Sequence, residues 1–192
     1  VGTGRAVCLD FARRGANVAV NYSRSADEAE LTAADCREAG VEAFAVRADV
    51  KSDDALRSMA ADAEKRFGRI DVLVNNAGIT RFVDHDDLEG INEDDWNDIF
   101  STNVWGTFAA TRAVLPALKR DGGGSVVNIG SVNAYIGEPK LCAYSASKGG
   151  LMTLTKNAAS YLNQHRIRVN QINVGDTPRS CRKTQRRLTE SL

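Results

Sequence analysis

The sequence has little of what marks several classes of protein. Only two histidines are present, and the four cysteines are scattered without a CxxC pair, at Cys8, Cys36, Cys142 and Cys181. A structural zinc site or another metal site is therefore not expected. Scattered thiols are typical of a reduced, cytoplasmic protein. No uninterrupted apolar run approaches the ~18 residues of a membrane-spanning helix, which argues against a membrane protein.

The chain also lacks an excess of charge of either sign. Lys and Arg together number 25, as do Asp and Glu, so nothing favours binding to nucleic acid or to an anionic membrane. One basic stretch, RSCRKTQRR at 179–187, is interpreted as a solvated helix or a frayed end. With 192 residues, 43% of them hydrophobic, the chain is long enough for one domain with a sizeable core.

The hydrophobic pattern alternates between helical and strand periodicity. Amphipathic segments predict helices at 4–14, 26–39, 53–67, 93–118 and 143–164. Short runs rich in Val, Ile and Leu predict strands at 16–20, 41–50, 70–78, 125–131 and 167–174. Apolar strands that alternate with helices are typical of a parallel sheet covered on both faces. We therefore predict a doubly wound α/β fold of three αβα layers, in a single domain over residues 1–192.

Two glycine-containing turns fall where such a fold binds ligands, at the carboxyl ends of strands. Gly2-Thr3-Gly4 directly precedes a helix, where glycines let a pyrophosphate approach the helix N-terminus, although a plain glycine turn has the same sequence. Asn75-Asn76-Ala77-Gly78 closes strand 70–78. Its small residues leave room for a flat ring or a ribose, and an ordinary Asn-Gly turn is the alternative interpretation.

A third candidate combines a tyrosine, a lysine and a serine. Tyr144 and Lys148 are four residues apart and share one face of a helix. A nearby ammonium stabilises a phenolate, so Tyr144 is a candidate proton donor or acceptor. In isolation, the pair is equally compatible with a surface tyrosine packed on a lysine stem. Ser131 favours the chemical interpretation, because a hydroxyl at the end of strand 125–131 can face the same pocket.

Together these residues resemble the classical short-chain dehydrogenases/reductases. The similarity covers nearly the whole chain and is nearest in character to 3-oxoacyl-carrier-protein reductases and glucose-dehydrogenase-like members. It is carried by Gly2, Gly4, Asp49, the NNAG turn, Asn103, Ser131 and the YSASK segment. The resemblance implies a Rossmann-like fold. It also implies an NAD(P)-dependent oxidoreductase that transfers a hydride between the nicotinamide and a carbonyl or secondary alcohol.

The resemblance also implies catalytic roles. Tyr144 would protonate the carbonyl oxygen during reduction and act as the base in oxidation. Lys148 would hold the nicotinamide ribose and stabilise the phenolate of Tyr144. Ser131 would donate a hydrogen bond to the substrate oxygen. Asn103 would keep a water in a proton relay to Lys148, with helix packing or a local backbone hydrogen bond as the alternative.

A further set of residues would bind the cofactor. By similarity, Asp49 would contact the adenine with Val50 beside it, although an aspartate there can also be a turn residue or a helix N-cap. Asn76, Ala77 and Gly78 would line the ribose side, and Gly175 would lie near the nicotinamide.

The choice of cofactor is expected to depend on the residues after strand 16–20. NAD-preferring members usually place an acid there, whereas this chain reads Tyr22-Ser23-Arg24. A guanidinium and hydroxyls suit a 2′-phosphate, so NADP is the expected cofactor and NAD the alternative.

The sequence also offers candidate substrate contacts and an expected assembly. Asn133, Tyr135 and Glu138 lie between Ser131 and Tyr144 and are candidate substrate contacts alongside those two residues. Family resemblance implies a homotetramer or homodimer with helices 93–118 and 143–164 at its interfaces.

Three departures from the family pattern affect these expectations. The first strand and a C-terminal part of the fold are expected to be missing from this chain, which would leave a gap at the centre of the sheet. We therefore expect a natural protein that is longer at its N-terminus. The usual Pro-Gly after the last strand reads Val174-Gly175.

A non-catalytic dinucleotide-binding regulator, or an inactive fragment, is the alternative function.

Overall fold

The computed structural model describes residues 2–83, 87 and 89–175, and the basic stretch 179–187 lies outside these residues. Helices and strands alternate along the chain. The helices are α1 (Thr3–Arg13), α2 (Ala26–Glu38), α3 (Asp53–Phe67), α4 (Glu93–Phe100), α5 (Gly106–Arg120) and α6 (Cys142–Leu162). The strands are β1 (Val18–Tyr22), β2 (Ala43–Arg47), β3 (Val72–Asn75), β4 (Gly124–Ser131) and β5 (Ile167–Val174). A π-helical turn (Ser101–Trp105) joins α4 to α5, and 3₁₀ turns lie at Val132–Ala134 and Asn163–His165.

Most element bounds follow the hydrophobic pattern, and the differences have local causes. The predicted strand 16–20 begins two residues later, because Gly15 and Ala16 turn the chain back onto the end of α1 through hydrogen bonds to Ala12 and Phe11. The predicted strand 70–78 is shorter, since residues 76–78 leave the sheet. The predicted helix 93–118 is interrupted by the π-helical turn, which hydrophobic periodicity does not reveal because the turn spans only five residues.

All strand pairs are parallel, as predicted, but they form two sheets. β1 pairs with β2, and β4 lies between β3 and β5. Among the described residues no strand lies between β1 and β3. A cavity of about 800 Å³ occupies that place and is lined by residues of both strands, including Val18, Val20, Val72 and Val74. This arrangement agrees with the expected gap at the centre of the sheet.

Helices pack against both sheets. The larger core packs α5 and its neighbours α3 and α6 on β4 and β5, around Leu118, Val126 and Ile167, which are buried. Alanines at four positions of α5 are buried, namely Ala109, Ala110, Ala113 and Ala117. The smaller core joins α1 and α2 to β1 and β2. No helix in the described ranges is long and apolar enough to cross a bilayer.

The cavity changes the packing of α1. The periodicity of the helix predicted at 4–14 places five apolar residues inward, namely Ala6, Val7, Leu9, Phe11 and Ala12. Only Ala12 is buried. Val7 and Phe11 instead line the cavity beside β1 and β3, because nothing in the described structure fills that space.

The parallel register brings the carboxyl ends of the strands to a common level. Asn75 pairs with Asn128, and Ser131 pairs with Val174. The turns that follow β3, β4 and β5 therefore meet at one edge, where the fold is expected to bind its ligand.

Candidate active site

The turn that follows β3 reaches both ends of the candidate site. A Cβ placed on Gly4, in the first turn of α1, would lie 2.9 Å from Nδ2 of Asn76. A Cβ placed on Gly78 would lie 3.4 Å from Oδ1 of Asn103 and 3.6 Å from Nζ of Lys148. The structure thus brings the predicted glycine turn, the NNAG turn and two of the predicted catalytic residues together.

Asn103 holds this turn against α6. It lies in the π-helical turn and is fully buried. Its Oδ1 accepts a hydrogen bond from the Ile79 N–H at 2.9 Å, and its Nδ2 donates to the Ile79 carbonyl at 3.0 Å and to Oγ of Ser147 at 2.9 Å. Ser147 Oγ in turn donates to the Tyr144 carbonyl at 2.7 Å. Both amide hydrogens of Asn103 are therefore used within the protein.

Lys148 carries its ammonium into the interior. The residue is 4% exposed, and Nζ donates a hydrogen bond to the carbonyl of Ile129 in β4 at 2.8 Å. Burial lowers the pKa of Lys148 to about 8, because desolvation penalises the charged amine. Nζ also lies 5.6 Å from the centre of the half-buried Tyr144 ring. The predicted pairing of tyrosine and lysine on one face of α6 is confirmed.

Ser131 ends β4, and residues 132–142, which carry the candidate substrate contacts and are called the substrate segment, follow it. Its Oγ accepts a hydrogen bond from the Asn133 N–H at 3.2 Å and lies 3.4 Å from Oδ1 of Asn133. The 3₁₀ turn that follows lies against the end of β5, since a Cβ on Gly175 would lie 3.8 Å from Val132. The structure thus gathers Ser131, Asn133 and Gly175 at one edge.

The loop after β1 carries the predicted cofactor-selecting residues. Tyr22 ends β1 and pairs with Arg47 of β2, while Ser23 and Arg24 are exposed. Nε of Arg47 donates a hydrogen bond to the Ser23 carbonyl at 3.4 Å. Arg47 is a second cation beside this loop that sequence reasoning missed, because only the parallel pairing of β1 with β2 brings it there.

Three other predicted residues lie in a turn, against a helix or on the surface. The exposed Asp49 accepts a hydrogen bond from the Lys51 N–H at 3.0 Å and so also serves as a turn residue. The Val50 side chain lies against Gly106. Glu138 is exposed, and its side chain makes no hydrogen bond within the described part of the chain. In that same part, no three His, Cys, Asp or Glu side chains are grouped as a metal site.

The comparisons with known proteins agree with this geometry. The family described as short chain dehydrogenase matches residues 1–189. The chain belongs to this family. It is 38% identical over 174 residues to the 3-oxoacyl-[acyl-carrier-protein] reductase of Staphylococcus epidermidis, which covers 91% of this chain and 70% of that protein. The resemblance inferred from the motifs is confirmed.

Solved structures of the same family match as well. The NAD⁺-bound xylitol dehydrogenase has a TM-score of 0.83 at 34% identity, with 90% of this chain and 65% of that chain covered. A metagenomic short-chain oxidoreductase in complex with NADP has a TM-score of 0.84 at 29% identity, covering 94% and 79%. The α/β, doubly wound, Rossmann-like fold is therefore confirmed. The family is one of NAD(P)-dependent oxidoreductases that act on CH–OH or carbonyl groups.

The residues present fit a nicotinamide dinucleotide. Gly2 has φ = 115°, which favours glycine, and the first N–H groups of α1 beyond it are free to face a phosphate. At the other end, an ammonium has three N–H donors, and Lys148 uses one of them within the described structure. The remaining two suit ribose hydroxyls next to Gly78, where a side chain would fill the space.

The burial of Lys148 predicts a pH-dependent stability. Between pH 8 and about 10.4, the ordinary lysine pKa, the folded chain has lost this proton whereas the unfolded chain keeps it. Stability rises with pH wherever the unfolded state binds more protons. The free energy of unfolding of the wild type should therefore rise relative to Lys148→Met between pH 8 and pH 10, as measured by urea unfolding.

Lys156→Met is the matched control, because Lys156 is exposed on the same helix. Its difference from the wild type should stay constant over this range. A constant difference for Lys148→Met as well would contradict the lowered pKa, and NMR titration of Lys148 in the wild type tests the value without a substitution.

Proposed function

We propose that this short-chain dehydrogenase is an NADP-dependent carbonyl reductase in which Tyr144 is the general acid and base. The observation that carries the proposal is the position of the Lys148 ammonium. It is buried, it is bound to the Ile129 carbonyl at 2.8 Å, and it lies 5.6 Å from the Tyr144 ring. A phenol held beside this ammonium is placed to exchange a proton with an alcohol or carbonyl.

In this proposal Ser131 and Tyr144 both act on the same substrate oxygen, Ser131 by a hydrogen bond and Tyr144 by proton transfer. The only acceptor of the Ser131 hydroxyl in the described structure is the Asn133 Oδ1, at a long 3.4 Å, so this proton is available to a carbonyl oxygen. Tyr144 protonates the same oxygen in reduction and removes its proton in oxidation. The nicotinamide, when bound, supplies or accepts the hydride.

Asn103 supports this arrangement by holding the turn that contains Gly78. Its hydrogen bond with Ile79 fixes the turn after β3, which lies beside Lys148. Its hydrogen bond to Ser147 fixes the turn of α6 that carries Tyr144. The water relay through Asn103 stays a prediction, and its Oδ1 is the atom with a lone pair left for it.

The preference for NADP is supported by two cations at the end of β1. Arg24 is exposed and close to Ser23 in sequence, and Arg47 contacts the Ser23 carbonyl. Guanidinium groups match the geometry of a phosphate. We assign Gly2, Thr3 and Gly4 to the pyrophosphate, and Tyr22, Ser23 and Arg24 to the 2′-phosphate. The residues that we assign to the adenine and the rest of the cofactor are Asp49, Val50, Asn76, Ala77, Gly78 and Gly175.

The substrate proposal follows from the relatives. The Staphylococcus protein is named a 3-oxoacyl-[acyl-carrier-protein] reductase, so a 3-oxo ester is the first substrate to test. Asn133, Tyr135 and Glu138 are the proposed contacts with the part of the substrate beyond the reacting carbonyl.

We also propose a cytoplasmic homodimer or homotetramer. The free thiols of Cys8, Cys36 and Cys142 fit a reducing compartment. On α5 and the turn before it, Trp105 and Phe108 are each more than 40% exposed, and exposed aromatic groups are typical of subunit interfaces.

Replacement of the proposed acid tests the mechanism. Tyr144→Phe should lower kcat/KM for ethyl acetoacetate with NADPH by about 100- to 10,000-fold, because it removes the transferable proton. NADPH affinity should stay within about threefold, as followed by nucleotide fluorescence, because the ring remains. Tyr161→Phe, an exposed tyrosine on the same helix, is the control. Turnover by Tyr144→Phe within twofold of the wild type would overturn the assignment.

Replacement of Arg24 tests the cofactor preference. Arg24→Ala should weaken NADPH binding by about 10- to 100-fold, the range of hydrogen bonds to a charged group, and should leave NADH binding unchanged. Arg168→Ala, exposed at the opposite end of the strands, is the control. Tighter binding of NADH than of NADPH by the wild type, or equal weakening of both by Arg24→Ala, would contradict the assignment.

A further inference from the structure

Three neighbouring strands carry an amide side chain at the same level, and we call these residues, Asn75, Asn128 and Gln171, the amide ladder. Asn75 pairs with Asn128, and Asn128 pairs with Gln171. Nδ2 of Asn75 donates to Oδ1 of Asn128 at 2.9 Å, and Nδ2 of Asn128 donates to Oγ1 of Thr155 at 2.9 Å. The Thr155 hydroxyl in turn has two acceptors for its one proton, the Leu151 carbonyl at 2.8 Å and Oε1 of Gln171 at 3.1 Å. The ladder thus crosses the sheet beneath α6.

The amide ladder continues to the substrate segment. Nε2 of Gln171 donates to Oδ1 of Asn173 at 2.6 Å, and Nδ2 of Asn173 donates to the hydroxyl of Tyr135 at 2.9 Å. Asn173 pairs in register with Gly130, directly before Ser131. A Cβ on Gly130 would overlap both amide groups, so the glycine is what lets the Gln171–Asn173 pair lie over β4. The Tyr135 hydroxyl is thereby held at the carboxyl end of the strands, above the residue that precedes Ser131.

The direction of these bonds determines what the tyrosine can do. Gln171 donates to Asn173, and Asn173 donates to the Tyr135 oxygen, so that oxygen acts as an acceptor. Within the described residues the hydroxyl donates no hydrogen bond, and Tyr135 is 67% exposed. Its own proton is therefore available to a ligand bound at this edge of the sheet.

We propose that Asn173 is a positioning residue that holds the Tyr135 hydroxyl so that it donates a hydrogen bond to a second oxygen of the substrate. This inference rests on the proposed carbonyl reductase. It narrows the substrate class to carbonyl compounds that carry another acceptor oxygen near the reacting group, such as 3-oxo esters and hydroxyketones. A simple ketone reacts at Ser131 and Tyr144 without using Tyr135.

Two probes with chains of equal length separate these classes. Ethyl acetoacetate has a second carbonyl oxygen, and 2-heptanone does not. The quantity to measure is the ratio of their kcat/KM values, because the intrinsic reactivity of each ketone cancels when a variant is compared with the wild type. Tyr135→Phe should lower this ratio about three- to tenfold, the effect of one hydrogen bond, mainly through a higher KM for the ester.

Substitutions of Asn173 test the positioning role. Asn173→Ala should lower the ratio by a similar factor, and the effect should vanish in the Tyr135→Phe background, because the two residues act through one hydroxyl. Asn173→Asp should lower it as well, since a carboxylate accepts the Tyr135 proton and withdraws it from the substrate. Asn170→Ala is the control, as Asn170 is exposed on the same strand, and it should leave the ratio unchanged.

The outcomes distinguish a failure of this inference from a failure of the proposed carbonyl reductase function. A wild type that reduces both ketones, with a ratio that the Tyr135 and Asn173 variants leave unchanged, overturns the inference alone. Independent effects of Asn173→Ala and Tyr135→Phe overturn the positioning role. A folded wild type that reduces neither ketone with NADPH or NADH overturns the proposed function and the inference with it.

Discussion

The ammonium of Lys148 is buried. Within the described structure it donates a hydrogen bond to a single protein acceptor, the carbonyl of Ile129. A charge in such a position is costly unless its hydrogen bonds are satisfied. The surroundings are arranged accordingly, since Gly78 leaves space beside Nζ and the centre of the Tyr144 ring lies 5.6 Å from it. The site is thus prepared for ligand oxygens at the two donors that remain.

Amide hydrogen bonds join the elements around this charge. Asn103 binds the turn after β3 to α6 through both of its amide hydrogens. The amide ladder joins β3, β4 and β5 beneath the same helix. Buried amides without partners would destabilise the fold, so these bonds require one register of the three strands. That register sets Ile129, Ser131 and Tyr135 relative to Lys148.

Much of this architecture could be predicted from the sequence. The bounds of α3 and β5 follow from periodicity and from the glycine at 68, and the Tyr144–Lys148 pair follows from helical spacing. The π-helical turn at Asn103 could not be predicted, because a turn of five residues is too short to show in hydrophobic periodicity. The amide ladder was missed for a different reason. Polar residues inside strands suggest a solvated face, and only the parallel pairing shows that three of them meet under α6.

The central claim is that hydride passes between the nicotinamide and a carbonyl carbon at this site. NADPH deuterated at C4 of the nicotinamide, prepared in both stereochemical forms, tests it directly with ethyl acetoacetate as the acceptor. The account predicts that one of the two forms transfers its deuterium to the carbinol carbon of the product alcohol, as read by mass spectrometry. Product without label from either form, or no product from a folded chain that binds NADPH, would contradict it.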